Sequence, residues 1–393
     1  MSDVLDTIRT VRVDQIGSLV NPPALLEAFR AFEAGSLSED ELSRVQDEAI
    51  IDTIRKQESM GLPVVTDGEM RRRNFQDNFG HSVSGFDVPK ALSYQQALSG
   101  ITEQVLARAE QNFAAAGPAI LTRRPVVEKL KLVRNIPLEE YRFADRHTKQ
   151  PVKATILSPD RIVQRFAYED SRKVYADREA FLADVVAISR QMIQDLVDAG
   201  CRYIQIDAPG YTAYVDDVSL ERMKARGEDP QANMDMSIKA DNAIIDGFDD
   251  VVFGIHLCRG NARTRDPRTG KVAPQFHREG AYDAIAEKLF NSLNHDRWLL
   301  EYDSERAGGF EPLKHMPKGH IAVLGIVTTK SSDIEPEDFL KRRIDEAARF
   351  IPGDQLAISP QCGFGGFGHP TISQDEQWRK LEQLKKVADA VWN

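Results

Sequence analysis

Along the whole chain, short runs of aliphatic and β-branched residues alternate with longer stretches whose apolar positions recur every three or four residues. The short runs are 11–17 (VRVDQIG), 62–66 (LPVVT), 151–157 (PVKATIL), 202–207 (RYIQID), 251–257 (VVFGIHL), 297–302 (RWLLEY), 320–327 (HIAVLGIV) and 355–359 (QLAIS). Their length and composition predict eight strands. Residues 38–60 begin with Ser38 and carry Glu41 three positions later, the pattern of a helix capping box. Residues 179–199 place Phe181, Val185, Ile188, Met192, Leu196 and Ala199 on one helical stripe, which Gly200 ends. Residues 234–247, 279–293, 336–350 and 373–391 read as helices in the same way.

Residues 80–150 break this rhythm, being too long for a simple strand-to-helix connection. They are expected to hold helices and a short strand pair, as an excursion within a single unit spanning 1–393. Eight strands alternating with helices predict an α/β fold, a (β/α)8 TIM barrel with an excursion inserted after strand 2. A doubly wound open sheet is the competing arrangement. The Gly-rich run GFGGFG at 363–368 does not open an N-terminal βαβ unit, so it gives no dinucleotide-binding fingerprint. It reads as a loop rather than a phosphate cradle.

Composition narrows the classes of function. A net charge of −10 argues against sequence-independent binding of nucleic acid, which depends on Lys and Arg meeting phosphate. No apolar run reaches the roughly 18 residues of a membrane helix. The stretch MSDVLDTIRTVRVDQ has no apolar core of a secretory signal. Neither a membrane nor a nucleic-acid partner is therefore expected. The three cysteines, Cys201, Cys258 and Cys362, are too few and scattered for a disulfide framework. The expectation is a cytoplasmic protein with reduced thiols.

In a barrel of this kind the chemistry collects at the C-terminal ends of the strands. Those ends carry Ser18 after strand 1, Asp67 and Glu69 after strand 2, Asp207 on strand 4, and His256 and Cys258 on strand 5. They also carry Glu301 on strand 6, Thr328-Thr329-Lys330 after strand 7, and Cys362 after strand 8. Residues two apart on a strand face the same side, so His256 and Cys258 point together toward the mouth. With Glu301 and Cys362 they form a tetrahedral ligand set for Zn2+. Two thiolates and a carboxylate make such a zinc electron-rich. That suits activation of a thiol better than polarisation of a carbonyl. A buried structural pair is the bland reading of His256 and Cys258, and pairing with arginine is that of Glu301. Cys201, at the start of strand 4, reads as core. The run Arg71-Arg72-Arg73 and the residues Arg259, Arg263, Arg265 and Arg268 have two open readings, solvated surface or a ring favouring an anionic substrate.

Together these stretches resemble the catalytic barrel of cobalamin-independent methionine synthase. The resemblance is carried by QIGSL (15–19), VTDGEMRR (65–72), YIQIDAPG (203–210), IHLC (255–258), LLEYDSERAG (299–308) and SPQCGF (359–364). It implies zinc on His256, Cys258, Glu301 and Cys362, and homocysteine-binding groups at Ser18, Glu69 and Asp207. The methyl-donor side departs from the family. Leu157 stands where the family has a tryptophan that packs on folate, Val327 where it has a catalytic histidine, and Ala208 where it has an acidic residue. The chain resembles the short single-barrel relatives, a group similar to and including epoxyalkane:coenzyme M transferase.

The expected activity is zinc-dependent transfer of a methyl or alkyl group to a thiol, with the zinc-bound thiolate as nucleophile. Homocysteine is the expected acceptor and methionine the product. The donor is left open between a methylated folate, a methylcorrinoid and a donor supplied by a partner protein. The alternatives are addition of another thiol, such as coenzyme M, to an epoxide, and, from another class, a zinc hydrolase or a non-catalytic zinc-binding barrel.

Overall fold

The computed structural model describes residues 2–72, 75, 77–87, 124–260, 263–265, 272–274, 278–365 and 372–392. Its strands are β1 Val83–Phe86, β2 Val126–Leu132, β3 Lys153–Leu157, β4 Tyr203–Asp207, β5 Val252–Leu257, β6 Arg263–Arg265, β7 Val272–Pro274, β8 Arg297–Glu301, β9 Ile321–Val327 and β10 Leu356–Pro360. Six of them form one parallel sheet in the order β10-β9-β8-β5-β4-β3. Every residue of β3, β4, β5, β8 and β10 is buried, as expected of a parallel sheet covered on both faces.

The two faces of these strands differ. Ile156, Ile206, Ile255, Leu300, Leu324 and Ile358 belong to the main apolar core, together with helix residues such as Ile54, Leu196, Leu289 and Leu384. The opposite face has a small apolar layer of Ile16, Leu299, Val323 and Ala357. It also carries a buried ionic cluster, in which Asp14 meets Lys153 at 2.8 Å and Arg297 at 3.3 Å and accepts the Tyr203 hydroxyl at 2.5 Å.

The expected helices are present with adjusted ends. The helix Glu39–Ser59 has both reciprocal bonds of the Ser38–Glu41 capping box. The helix Arg178–Asp198 is followed by Gly200 at φ +102°. The expected helix at 234–247 starts earlier, at Pro230, because the Asp229 carboxylate caps it by accepting from the Gln231 N–H. Only Ala286–Ser292 of 279–293 is α-helical.

The expected strands at 11–17 and 62–66 appear as single parallel bridges, Val13 to Ile358 on β10 and Val65 to Val152 beside β3. Each bridge makes two backbone bonds. At one edge the Asp14 N–H donates to the Ile358 carbonyl and the Ile358 N–H to the Arg12 carbonyl. At the other the Val65 N–H donates to the Pro151 carbonyl and the Lys153 N–H to the Val65 carbonyl, and side chains take further backbone groups. The Gln15 N–H donates to the Asp14 carboxylate, and the Thr66 N–H to Gln57 Oε1. Pro63 also lacks the N–H that a longer ladder requires. In the 80–150 region β1 and β2 pair antiparallel, and the helix Ile136–Asp145 follows. Positions 88–123 of that region lie outside the described residues, as do 366–368 of the Gly-rich run.

Candidate metal and thiol site

His256 and Asp207 are register partners on the adjacent strands β5 and β4, so their side chains leave the sheet on the same face. The His256 ring lies with Nδ1 at 3.1 Å from the Leu299 carbonyl on β8. That contact assigns the proton to Nδ1 and leaves the lone pair on Nε2. Nε2 is buried and has no hydrogen-bond partner among the described residues.

Cys258 follows β5 by one residue, and Cys362 follows β10 by two. Their sulfurs are 3.3 Å apart, and the Gly260 N–H donates to the Cys258 sulfur at 3.3 Å. The Cys362 thiol, as donor, holds the Cys258 pKa well below the usual thiol range against the effect of burial, and His256 adds to the fall. The Cys362 pKa is driven up in turn, by Cys258 first and then by burial. Burial acts to lower the His256 pKa, but Cys258, Asp207 and the Leu299 carbonyl together raise it. His256, Cys258 and Cys362 each offer one ligand atom, and these atoms lie within 4.8 Å of one another.

Glu301, the fourth expected ligand, is not part of that triangle. Its carboxylate accepts from the Arg259 N–H at 3.1 Å, from Lys330 Nζ at 3.1 Å and from the Arg306 guanidinium. Lys330 also reaches Asp303 at 2.7 Å. The Glu301 carboxylate adds to the rise of the Cys362 pKa and is itself engaged by cations.

The three residues implied as substrate-binding lie on different segments. The Ser18 carbonyl accepts from the Phe364 N–H at 2.8 Å, which ties the segment after 11–17 to the chain after Cys362. Glu69 occupies the left-handed region at φ +56°, unusual for a residue with a side chain. Its Oε1 accepts from Arg72 at 3.0 Å and from the Thr155 hydroxyl at 2.9 Å. Asp207 Oδ1 accepts from the Gln205 amide at 2.7 Å. Burial raises both carboxyl pKa values, and that of Asp207 is pushed up to about 7 with Glu69 as the next cause. Two buried carboxylates that repel one another form a site that a cation would relieve.

Cys201 is buried core, its thiol pushed up to about 12 by burial. Arg72 is buried, its guanidinium bound to Glu140 and Glu69. Arg71 pairs with Asp47. Arg259 is buried over the Tyr282 ring and donates to the Gly280 carbonyl. The solvated-surface reading therefore does not hold for Arg72 or Arg259. Arg73 and Arg268 lie outside the described residues. Sequence reasoning did not single out Thr155, Gln205 or Arg306, and named Lys330 only as a polar residue at a strand end. Gln205 was accessible to it, because it stands two residues before Asp207 and so shares its face. Lys330 and Arg306 depended on the fold to bring them to Glu301.

A parallel α/β sheet with a histidine and two cysteines converging at its C-terminal edge defines a class of protein with a sulfur-rich metal-type site. The family described as the catalytic domain of the cobalamin-independent synthase matches residues 12–262. The chain is 32% identical to the uncharacterized protein YxjG of Bacillus subtilis over 97% of its own length and 94% of that protein's. It is 24% identical to methionine synthase of Pyrococcus abyssi, over 88% and 84% of the two chains. Its fold matches that of a B12-independent methionine synthase from Shewanella sp. W3-18-1, solved in complex with selenomethionine. The TM-score is 0.70, with 20% identity over 97% of this chain and 98% of that one. The chain belongs to the cobalamin-independent methionine synthase catalytic-domain family, which places it among the methionine synthase-like methyltransferases. The matched segment holds Ser18, Glu69, Asp207, His256 and Cys258, whereas Glu301 and Cys362 lie beyond it. Among the described residues no helix is long and apolar enough to cross a membrane.

Proposed function

We propose that this protein transfers a methyl group to the sulfur of homocysteine, giving methionine, at a zinc held by His256, Cys258, Cys362 and Glu301. The observation that carries the reading is the buried Nε2 of His256, unpartnered among the described residues, facing two thiols in one compact triangle. One imidazole and two sulfurs are a donor set that zinc accepts readily. Zinc, when bound, would supply the Lewis acidity that turns an incoming thiol into a thiolate at neutral pH.

The chain's own residues do the rest. Asp207 and Glu69 accept the ammonium of the amino acid, each through the oxygen that the scaffold does not use. Ser18, on the rim beside Phe364, completes the cradle. The carbon–sulfur bond forms as the bond from the methyl group to its donor breaks, and the thiol proton is given up on binding. Leu157, Ala208 and Val327 are all buried apolar residues, so these three positions offer no polar group to a folate.

The architecture proposed with this function is an eight-stranded barrel, the segments around Val13 and Val65 closing the six-stranded sheet. The bridges at its two edges support this, as does the Leu19 N–H donating to the Gly68 carbonyl at 3.0 Å between the segments. Residues 80–150 would be an excursion within that single unit, and the free cysteines suit a cytoplasmic location.

One observation favours a second reading, addition of a sulfonate thiol such as coenzyme M to an epoxide. Arg278 is buried and donates to the Thr212 hydroxyl at 3.1 Å, which in turn donates to the Cys258 carbonyl at 2.7 Å, and Arg161 is half-buried. Two carboxylates at the rim are poorly matched to a sulfonate, so homocysteine remains the proposed acceptor. The test is incubation of zinc-loaded protein with homocysteine and a panel of methyl donors, followed by mass analysis. Methionine is the expected product. No methionine from any donor, with a thioether formed from a sulfonate thiol and an epoxide, would transfer the conclusion to the second reading.

A further inference from the structure

Lys153 lies on β3 with its side chain wholly buried. An ammonium has three N–H donors, and here each has an acceptor. They are the Asp14 carboxylate at 2.8 Å, the Gln15 carbonyl, and Gln205 Oε1 at 2.9 Å. Arg297 and the Tyr203 hydroxyl hold Asp14 in turn.

This arrangement determines which way the Gln205 amide faces. With Oε1 on the ammonium, the NH2 group must point to the other side. Its two N–H bonds go to Asp207 Oδ1 at 2.7 Å and to the Ile16 carbonyl at 2.5 Å. The reverse orientation would set an amide oxygen against the Asp207 carboxylate and an NH2 against the ammonium, which are two repulsions in a buried setting. One amide thereby joins the backbone two residues before Ser18 to the carboxylate of Asp207. Asp207 Oδ2 makes no hydrogen bond among the described residues and is the oxygen left for a ligand.

From this geometry we infer that Lys153 and Gln205 are positioning residues for the amine subsite. The buried ammonium sets the orientation of the Gln205 amide, and the amide sets the Asp207 carboxylate. Through Asp207 they govern how strongly the chain holds the ammonium of a thiol amino acid. The inference rests on the amine-binding reading of Asp207 proposed above.

The test uses Gln205→Glu and Gln205→Leu. The first preserves side-chain shape and gives Lys153 a carboxylate acceptor, but sets that charge against Asp207 where the NH2 group donated; the second removes both the acceptor and the donor. Zinc-loaded wild-type and variant proteins are titrated calorimetrically with homocysteine and with 4-mercaptobutanoate, which is homocysteine without its amino group. The sulfur-to-metal charge-transfer band of the cobalt(II)-loaded proteins reports the thiol end independently. Losing one hydrogen bond to a buried charge should weaken homocysteine binding about tenfold in both variants. The affinity for 4-mercaptobutanoate and the cobalt band should stay as in the wild type. Equal weakening for both thiols, or unchanged homocysteine binding in Gln205→Glu, overturns the inference. Thermal melts run beside the titrations, and should Gln205→Leu fold poorly, the isosteric Gln205→Glu decides. A wild-type protein that fails to bind homocysteine, or binds both thiols alike, overturns the amine reading itself and is a separate outcome.

Discussion

The sulfurs of Cys258 and Cys362 lie 3.3 Å apart although 104 residues separate them in the chain. No disulfide joins them. The polarised pair, one thiol held low and the other held high, is what two thiols become when they share a proton in a buried place. The lone pair of His256 faces the same place.

Removal of any corner of this triangle should remove the metal. His256→Gln, Cys258→Ser and Cys362→Ser are each expected to lower zinc affinity on the order of 100-fold or more, since serine and amide oxygens are poor zinc ligands. Elemental analysis after dialysis against a competing chelator measures this. Wild-type stoichiometry retained in all three variants would show that the triangle is not where zinc binds.

Glu301 offers a sharper contrast. It is paired with Lys330 and Arg306, so as a ligand it must be shared with or released by these cations. Glu301→Gln is expected to lower zinc affinity roughly 10- to 100-fold, less than loss of a sulfur. Chelator competition gives the number. An unchanged affinity together with a lowered melting temperature would make Glu301 a scaffold carboxylate only.

Gly325 on β9 tests how tightly the strand ends must fit. A Cβ there would stand 2.7 Å from the Leu300 carbonyl oxygen, 2.7 Å from the Gln361 Cα and 3.2 Å from the Pro360 carbonyl oxygen. Both neighbouring strands would have to yield, and these strands carry Glu301 and lead to Cys362. Gly325→Ala should cost about 1–3 kcal/mol in urea unfolding and weaken zinc binding with it. A variant of unchanged stability and zinc content would contradict this.

Stability should fall as pH rises from about 4 to about 7. Burial pushes the Asp241 carboxyl up to about 7 despite the hydroxyls of Tyr211 and Ser158 that donate to it, with Asp160 adding to the rise. The unfolded chain titrates near 3.8, so between these values the folded state binds the extra proton. The stabilisation is complete below the unfolded pKa and lost as pH passes through the folded one. Glu140 and Asp207, also raised to about 7, act in the same direction. Asp241→Asn lacks the titrating group, so its urea midpoint should fall less steeply from pH 4 to pH 8. The relative gain at pH 8 should be on the order of a few kcal/mol. Parallel slopes in the two proteins would count against it.

Much of this molecule could be read from local pattern. Strand length and β-branching marked the six strands of the sheet, and Ser38 with Glu41 marked a helix start, because both depend on neighbours a few residues away. The two-residue period put His256 and Cys258 on one face, and would have put Gln205 with Asp207. Other features were decided only when distant segments met. At 11–17 and 62–66 the backbone ladder stayed short, and side chains took the backbone groups next to it. The Arg72 guanidinium went into the interior because Glu140, from the helix after β2, was there to meet it. Cys362 reached Cys258, and Lys330 and Arg306 reached Glu301, through the stacking of parallel strands. Periodicity carries the local geometry of one segment, whereas register and the pairing of buried charges are set by which segments become neighbours.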